Sequence, residues 1–91
     1  MPKTLQVLFY EYVPDMAERR TPFRQEHIGL IQSFHGDGRL VEAGAYGDPV
    51  KGGLLMFTTV DAAEAFVAAD PYHHNGLVVG HRVEPWTVVT E

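Results

Sequence analysis

Two residues of this chain, His27 and Asp70, have the chemistry to move a proton together. His27 is the one titratable residue on the apolar face of the best-marked predicted helix. Asp70 stands at the end of a second predicted helix, directly before Pro71. A partly buried imidazole that faces a carboxylate can take up and release a proton near neutral pH. The two side chains are therefore the candidate catalytic residues.

The first helix, which carries His27, is predicted to run from Thr21 to Gly36. Thr21 is the expected N-cap, because Pro22 then occupies the first helical position. Apolar side chains recur on one face of this helix at Phe23, Leu30, Ile31 and Phe34. His27 lies four residues after Phe23, so its ring projects from the same face and is partly buried. A lone histidine in such a place is also commonly a packing residue.

The second helix places Asp70. Asp61 is its expected cap, since Glu64 follows three residues later, the spacing of a capping box. The side chains expected to face the sheet are Ala62, Ala65, Phe66 and Ala69. Pro71 disfavours helical geometry at Asp70, so the carboxylate should lie at the bend where the helix stops. An aspartate before a proline is often only a helix stop.

Four segments have the composition and flanking turn residues of β-strands: 5–12, 39–46, 53–59 and 82–89. Glycines and prolines at 47–49 and 52–53 are expected to form the turn of a hairpin between the second and third strands. The segment 72–80 is predicted to be a connection, and Pro85 favours an edge position or a bulge for the last strand. The order βαββαβ predicts one domain over residues 1–91 with the ferredoxin-like α+β fold, both helices on one face of an antiparallel sheet.

In this topology the start of the first helix lies beside the end of the second, so His27 and Asp70 meet at one rim of the sheet. The end of the first strand reaches the same rim, and we expect a pocket there. Its candidate substrate-binding residues are Tyr10, Tyr12, Arg20, Tyr46 and Tyr72, with Phe9 as a further aromatic wall. Arg20 or Arg24 would offset the charge of an enolate or a carboxylate. The tyrosines are also plausible core or interface residues, and the arginines plausible solvated ones.

The first strand is apolar on both faces. Leu5, Val7 and Phe9 alternate with Leu8, Tyr10 and Tyr12. Helices on one side of the sheet cover only one of these faces. A large uncovered apolar face usually marks an interface, so we expect a homodimer in which two sheets pack against each other.

Composition narrows the classes of partner. A net charge of −5 with only seven lysines and arginines argues against nucleic acid. No apolar run approaches the roughly 20 residues that span a bilayer, and no export-signal pattern opens the chain, so a cytoplasmic location away from membranes is expected. The chain has no cysteine, which excludes disulfides and thiolate chemistry. His73, His74 and His81 are not spaced as ligands of one metal, so neither a metal nor another cofactor is expected.

Three stretches of the chain resemble the YciI-like (YCII-related) proteins. They are Thr21-Pro22-Phe23-Arg24-Gln25-Glu26-His27, then Gly38-Arg39-Leu40 through Ala43-Gly44-Ala45, and Ala68-Ala69-Asp70-Pro71-Tyr72 before Gly76-Leu77. The resemblance spans nearly the whole chain and implies a dimeric α+β-barrel with an active site at His27 and Asp70. It also implies varied chemistry, because members include dehydrochlorinases of chlorinated hydroxyhydroquinones and dehalogenases of chlorinated muconolactones.

These observations favour a cofactor-independent lyase. A neutral His27 would take a proton from a small ring while Asp70 stabilises the imidazolium, and chloride would leave. The most concrete expectation is a dehydrochlorinase that acts on a chlorinated hydroxyhydroquinone or a related intermediate of aromatic catabolism. The alternatives are a muconolactone-type isomerase or dehalogenase, a cofactor-free monooxygenase, and an accessory protein that binds a small molecule without catalysis. Fold alone does not choose among them.

Overall fold

The computed structural model describes residues 3–90. Its elements, in chain order, are β1 (Lys3–Tyr12), α1 (Met16–Arg19), a 3-10 turn (Thr21–Phe23), α2 (Arg24–Gly36), β2 (Leu40–Tyr46), β3 (Gly52–Phe57), α3 (Val60–Ala69), α4 (Pro71–His74) and β4 (Val78–Val88). The strands form an antiparallel sheet in the order β2-β3-β1-β4. This order confirms the predicted ferredoxin-like α+β fold. It also places β4, which contains Pro85, at the sheet edge as expected.

The core lies between the sheet and the two longer helices. Leu8 of the central strand β1 pairs with Leu55 of β3 and with Val83 of β4, and all three face the helices. Three phenylalanines fill the space above them: Phe34 of α2, Phe57 of β3 and Phe66 of α3, with ring centroids 5.4 to 6.2 Å apart. This aromatic cluster fixes α2 and α3 on the sheet and so fixes the ends that form the site.

The start of α2 differs from the prediction. Thr21 is not the N-cap of this helix: α2 begins at Arg24, and the capping position is held by Phe23 without a side-chain hydrogen bond. The chain is already helical before Thr21, because the Arg20 amide donates to the Met16 carbonyl and the Phe23 amide donates to the Arg20 carbonyl. Pro22 therefore lies in a 3-10 turn that leads into α2.

The cap and the buried face of α3 also differ from the prediction. Thr59, not Asp61, is the N-cap, since its hydroxyl accepts a hydrogen bond of 3.0 Å from the Ala62 amide. The buried residues of α3 are Ala62, Ala63, Phe66 and Val67, whereas Ala65 and Ala69 are exposed. The expected face is rotated because the large Phe66 and Val67 side chains, rather than the alanines, determine which side of the helix packs on the sheet.

Replacing Thr59 by alanine is expected to lower the free energy of unfolding by about 1 kcal/mol, because the Ala62 amide loses its partner at the helix end. Urea titration followed by circular dichroism measures this change. Asp61→Ala is the matched control and should cost less, since within residues 3–90 the Asp61 side chain forms no hydrogen bond or ion pair and only its charge favours the helix N-terminus. A larger loss for Asp61→Ala than for Thr59→Ala would contradict the cap assignment.

Two segments predicted as turns or connections belong to regular elements. Gly52, predicted as a turn residue, is the first residue of β3, and Gly53, predicted where the turn meets the strand, is the second. A side chain at Gly52 would collide with the ring of Tyr46, and one at Gly53 would lie 2.8 Å from the Tyr12 hydroxyl, so both glycines make room for tyrosines. The segment 72–80 is not a simple connection, because it contains most of α4 and the first residues of β4.

The face of the sheet opposite the helices is uncovered in the single chain. A shallow apolar depression of about 270 Å³ lies on it, formed mainly by Val7, Phe9, Leu54, Met56 and Trp86. Trp86 is 45% exposed. The second apolar face that the sequence predicts is therefore present. Within residues 3–90 no helix is long and apolar enough to cross a membrane, and the expected cytoplasmic location stays a prediction.

Candidate active site

Asp70 is held at the bend between α3 and α4. Pro71 keeps it in an extended conformation with φ −76° and ψ 120°, as the sequence predicts. Its carboxylate caps α4, because Oδ1 accepts a hydrogen bond of 3.1 Å from the Tyr72 amide. The side chain is fully buried. The local sequence Asp70-Pro71-Tyr72 thus fixes the position of the buried carboxylate and supplies the Tyr72 amide as its first hydrogen-bond donor.

His27 meets this carboxylate from the first turn of α2. Its Nδ1 lies 2.7 Å from Asp70 Oδ1, and only 5% of His27 is exposed. The imidazole stacks on the Tyr72 ring, with centroids 3.7 Å apart and planes 9° from parallel. The edge contact with Phe66, at 6.0 Å, holds it from a second direction. The predicted meeting of the two helix ends is therefore present, and the ring is held in one orientation.

Tyr10 is the third member of the network. Its hydroxyl donates to Asp70 Oδ2 at 2.8 Å, so Asp70 is surrounded by three potential donors: the Tyr10 hydroxyl, the Tyr72 amide and His27 Nδ1. An ionised carboxylate accepts from all three, which assigns the His27 proton to Nδ1 and leaves Nε2 with a free lone pair. Within residues 3–90 Nε2 has no hydrogen-bond partner, and His27 lines a cavity. This geometry can perform general base chemistry.

Burial, followed by the charge of Asp70, raises the pKa of Tyr10 well above its ordinary value of 10.0, and burial is also the main cause of the raised pKa of Tyr12. Both phenols therefore stay protonated in the fold, and Tyr10 remains a donor to Asp70.

These two tyrosines predict unfolding at alkaline pH. Above pH 10.0 they ionise in the unfolded chain but not in the fold, so the unfolded state is favoured. Below this pH each tyrosine makes its full contribution to the free energy of unfolding. Above it the free energy of unfolding should fall by about 1.4 kcal/mol per pH unit for each tyrosine. Denaturant titrations at a series of alkaline pH values measure the slope. Tyr10→Phe and Tyr12→Phe should each make it shallower, and unchanged slopes in both variants would contradict the assignment.

A cavity of about 400 Å³ opens between α2 and the end of the sheet where β2 and β3 are joined. Its apolar wall includes Ile28, Ile31, Ala43, Val50 and Leu55. Its polar wall consists of Tyr12, Arg20, Arg24, His27 and Tyr72. A volume of this size accommodates one small ring with its substituents. The free nitrogen of His27 therefore lies at a site where a small organic molecule fits.

The structure brings together most of the residues that the sequence predicts for substrate binding. Tyr12, Arg20 and Tyr72 lie on the cavity wall, whereas Tyr10 lies behind Asp70. Tyr46 is on the opposite, open face of the sheet, with its hydroxyl 3.5 Å from the Tyr10 carbonyl oxygen. Neither Tyr10 nor Tyr46 lines the cavity beside His27, so substrate contact by these two residues stays a prediction.

Sequence reasoning missed the hydrogen bond from Tyr10 to Asp70 and the aliphatic wall of the cavity. The position of Tyr10 could have been found from the alternation of side chains in β1, because Tyr10 lies two residues after Leu8 and so faces the helices as Leu8 does. The signal for Val50 was weaker, since it lies outside any element. His73 and His81 have ring centroids 5.3 Å apart, yet within the described residues no three metal-ligating side chains come together.

Comparison with known proteins identifies the family. A family model described as the YCII-related domain matches residues 4–87. The chain belongs to the YCII-related family. Among curated YCII-related proteins, Protein YciI of Escherichia coli O6:H1 is 30% identical, over 93% of this chain and 98% of its own length. An uncharacterized protein of Haemophilus influenzae is 28% identical, over 91% of this chain and 96% of its own length.

Solved structures share the fold of this YCII-related chain. The 5-chloro-2-hydroxyhydroquinone dehydrochlorinase of Burkholderia phenoliruptrix, in complex with 2,5-dihydroxybenzoquinone, has a TM-score of 0.73 and 20% identity, over 90% of this chain and 92% of that one. A protein of unknown function from Nitrosomonas europaea has a TM-score of 0.59 and 15% identity, over 100% of this chain and 93% of that one. At these identities the similarity shows a common fold.

Proposed function

We propose that this YCII-related protein is a cofactor-independent lyase that removes a proton and a chloride ion from a small chlorinated ring. The substrate class is a chlorinated hydroxyhydroquinone or a related intermediate of aromatic catabolism. The observation that carries the proposal is the buried Tyr10–Asp70–His27 network, which aligns one imidazole at the wall of a cavity of about 400 Å³. The shared fold with a dehydrochlorinase supports this choice of reaction.

In the proposed reaction the Nε2 lone pair of His27 accepts a proton from an oxygen or carbon of the ring. The reacting form of a quinol is the keto tautomer, in which a proton has moved from oxygen to the ring carbon that carries chlorine and has made it tetrahedral. The electron pair left behind then forms a new ring double bond to this carbon as the carbon–chlorine bond breaks and chloride leaves. The sum of these steps is loss of one proton and one chloride ion, so no oxidant or reductant is consumed. Asp70 stabilises the imidazolium that forms, and the Tyr10 hydroxyl holds Asp70 Oδ2 throughout.

A panel of chlorinated quinols and chlorinated lactones tests the proposal, with chloride release as the readout. The protein should release chloride from at least one quinol, and His27→Gln should slow that release by ~10²–10⁴-fold. If no quinol loses chloride but a lactone does, the muconolactone dehalogenase becomes the better assignment. If no member of the panel loses chloride, the dehydrochlorinase proposal is wrong.

A second candidate function is binding without turnover, which the same cavity would also serve. The two functions differ in what His27 does. In the enzyme His27→Gln removes the group that accepts the proton and so strongly lowers turnover. A binding protein has no turnover to lose, and there the variant would change only modestly the affinity for a ring ligand. The buried charge network favours the enzyme, because a binding site has no need of a carboxylate held behind an imidazole.

We also infer that two copies of the chain pack through the open faces of their sheets. The depression around Val7, Phe9 and Trp86 is almost wholly apolar, and such a face is unfavourable in water. Sedimentation velocity should give twice the chain mass of 10.2 kDa. Trp86→Glu should shift the protein to a monomer, whereas Val60→Glu, a control at an exposed valine on the helix side, should leave the dimer intact. A monomeric wild type would overturn this inference.

A further inference from the structure

The arginines of this chain fall into two groups. Arg19, Arg39 and Arg82 each form an ion pair with a nearby carboxylate, at 3.7, 2.8 and 3.2 Å. Arg20 and Arg24 form no ion pair with a carboxylate in the described part of the chain, and both line the cavity beside His27. The unpaired guanidinium groups are therefore concentrated at the candidate active site.

No carboxylate side chain contributes to the cavity wall within residues 3–90. Asp70, the nearest acid of the network, is fully buried behind His27 and accepts its own hydrogen bonds there. The chain as a whole carries a net charge of −5. A cavity with two guanidinium groups and no acid on its wall is thus locally positive in an acidic protein, and such a cavity concentrates anions.

The hydroxyl of Tyr72 is a third group without a partner. Only 2% of Tyr72 is exposed and the residue lines the cavity, yet its hydroxyl forms no hydrogen bond with the described protein. Leaving such a buried donor unsatisfied costs about 1–3 kcal/mol. Burial raises the pKa of Tyr72, whereas the charges of Arg24 and Arg20, with the Arg24 side chain within hydrogen-bonding reach of the phenol oxygen, oppose the rise. Both cations therefore lie close to this hydroxyl. The three groups surround one unfilled position.

We propose that the cavity binds its substrate as an oxyanion, with Arg20 and Arg24 neutralising the charge and the Tyr72 hydroxyl donating a hydrogen bond to it. The ligand class is a small ring that carries an ionised oxygen, either an enolate or a carboxylate. This inference rests on the proposed function for the role of His27, which acts on the same ring. It adds a preference for anionic over neutral ligands, because a neutral ring of the same size leaves Arg20, Arg24 and the Tyr72 hydroxyl without partners.

Calorimetry with two matched pairs of probes tests the proposal. The first pair is 2,5-dihydroxybenzoquinone, which is an anion at neutral pH, and its neutral dimethyl ether. The second pair is benzoate and neutral benzamide. At least one anion should bind, roughly tenfold or more tightly than its neutral partner. Binding of the first anion alone identifies an enolate site, binding of benzoate alone identifies a carboxylate site, and binding of both identifies a general oxyanion site.

Variants of the three groups show whether they cause the selection. Arg20→Gln and Arg24→Gln should each lower the affinity for the anion roughly tenfold, and Tyr72→Phe should lower it about fivefold. Arg19→Gln is the matched control, since it removes the same charge from a neighbouring arginine that is paired with Asp15 on the surface. Circular dichroism checks that each variant folds.

Three outcomes overturn the inference. They are equal affinity for both members of each pair, no binding of either anion, and losses in Arg20→Gln and Arg24→Gln no larger than in Arg19→Gln. The test is independent of turnover, because calorimetry measures the binding of the probes and does not require the protein to release chloride. Failure of the proposed reaction therefore leaves anion binding measurable, and failure of anion selection leaves the reaction measurable.

Discussion

His27→Gln is expected to lower turnover by ~10²–10⁴-fold, the contribution of a positioned general base. Glutamine removes the free nitrogen that accepts the substrate proton. Its amide can still donate to Asp70, so the buried carboxylate keeps a partner and the fold is retained. The initial rate of chloride release from the best quinol of the panel measures the effect, with circular dichroism and thermal unfolding as checks of structure.

His35→Gln provides the matched control. His35 lies near the end of the same helix, α2, and is exposed. Its replacement removes one imidazole from α2 without touching the network, and turnover should stay within about twofold of wild type. If His27→Gln kept more than a tenth of the wild-type rate, His27 would not be the base, and the network would have a structural role only.

The fold and the pairing of His27 with Asp70 could be predicted because they depend on the order of the elements and the handedness of their connections, not on the packing of individual side chains. Alternation in β1, the helix ending at Gly36 and the proline after Asp70 are local signals, and right-handed crossovers then leave one arrangement of the elements. That arrangement places the start of α2 beside the end of α3. The proximity of His27 and Asp70 therefore follows from topology, whereas the distance of 2.7 Å between their side chains also depends on side-chain conformations.

The cap of α3 could not be predicted in the same way. Thr59 and Asp61 are both good capping residues, and only Asp61 has a glutamate three positions later, at Glu64. The choice depends on where β3 ends, and this is set by the pairing of Phe57 with Leu40 and Gln6 across the sheet. Tertiary pairing therefore overrides the stronger local signal for the cap, which is at Asp61.

The polar wall of the cavity is harder still to predict from sequence. Whether an arginine is paired depends on which carboxylates the fold brings near it, and Arg19 and Arg20 are neighbours with opposite outcomes. The position of Tyr46 was readable in principle, because its pairing with Gly52 places it on the open face of the sheet. That register depends on the hairpin turn, and the sequence predicted that β3 starts at Gly53, one residue later than the observed start at Gly52.

Asp70→Asn is expected to lower turnover by ~10²–10⁴-fold and to cost about 1–3 kcal/mol of stability. An amide that keeps its oxygen towards His27 preserves both hydrogen bonds to Oδ1 but no longer stabilises an imidazolium. An amide turned the other way donates to Nδ1, which transfers the imidazole proton to Nε2 and removes the base. Either orientation therefore damages catalysis more than folding. Asp61→Asn, at an exposed aspartate of α3, is the control and should change neither quantity appreciably.

The double variant His27→Gln/Asp70→Asn separates catalytic coupling from damage to the fold. If Asp70 acts through His27, its charge has nothing to stabilise once the imidazole is gone, and the double variant should be hardly slower than His27→Gln alone. Independent roles would instead multiply the two losses. The stability costs should combine differently, because Asp70 also holds the Tyr10 hydroxyl and the Tyr72 amide, which His27→Gln leaves in place. Non-additive rates with nearly additive stabilities would thus identify Asp70 as a positioning residue for the base, and multiplied losses in rate would refute the acid–base pair.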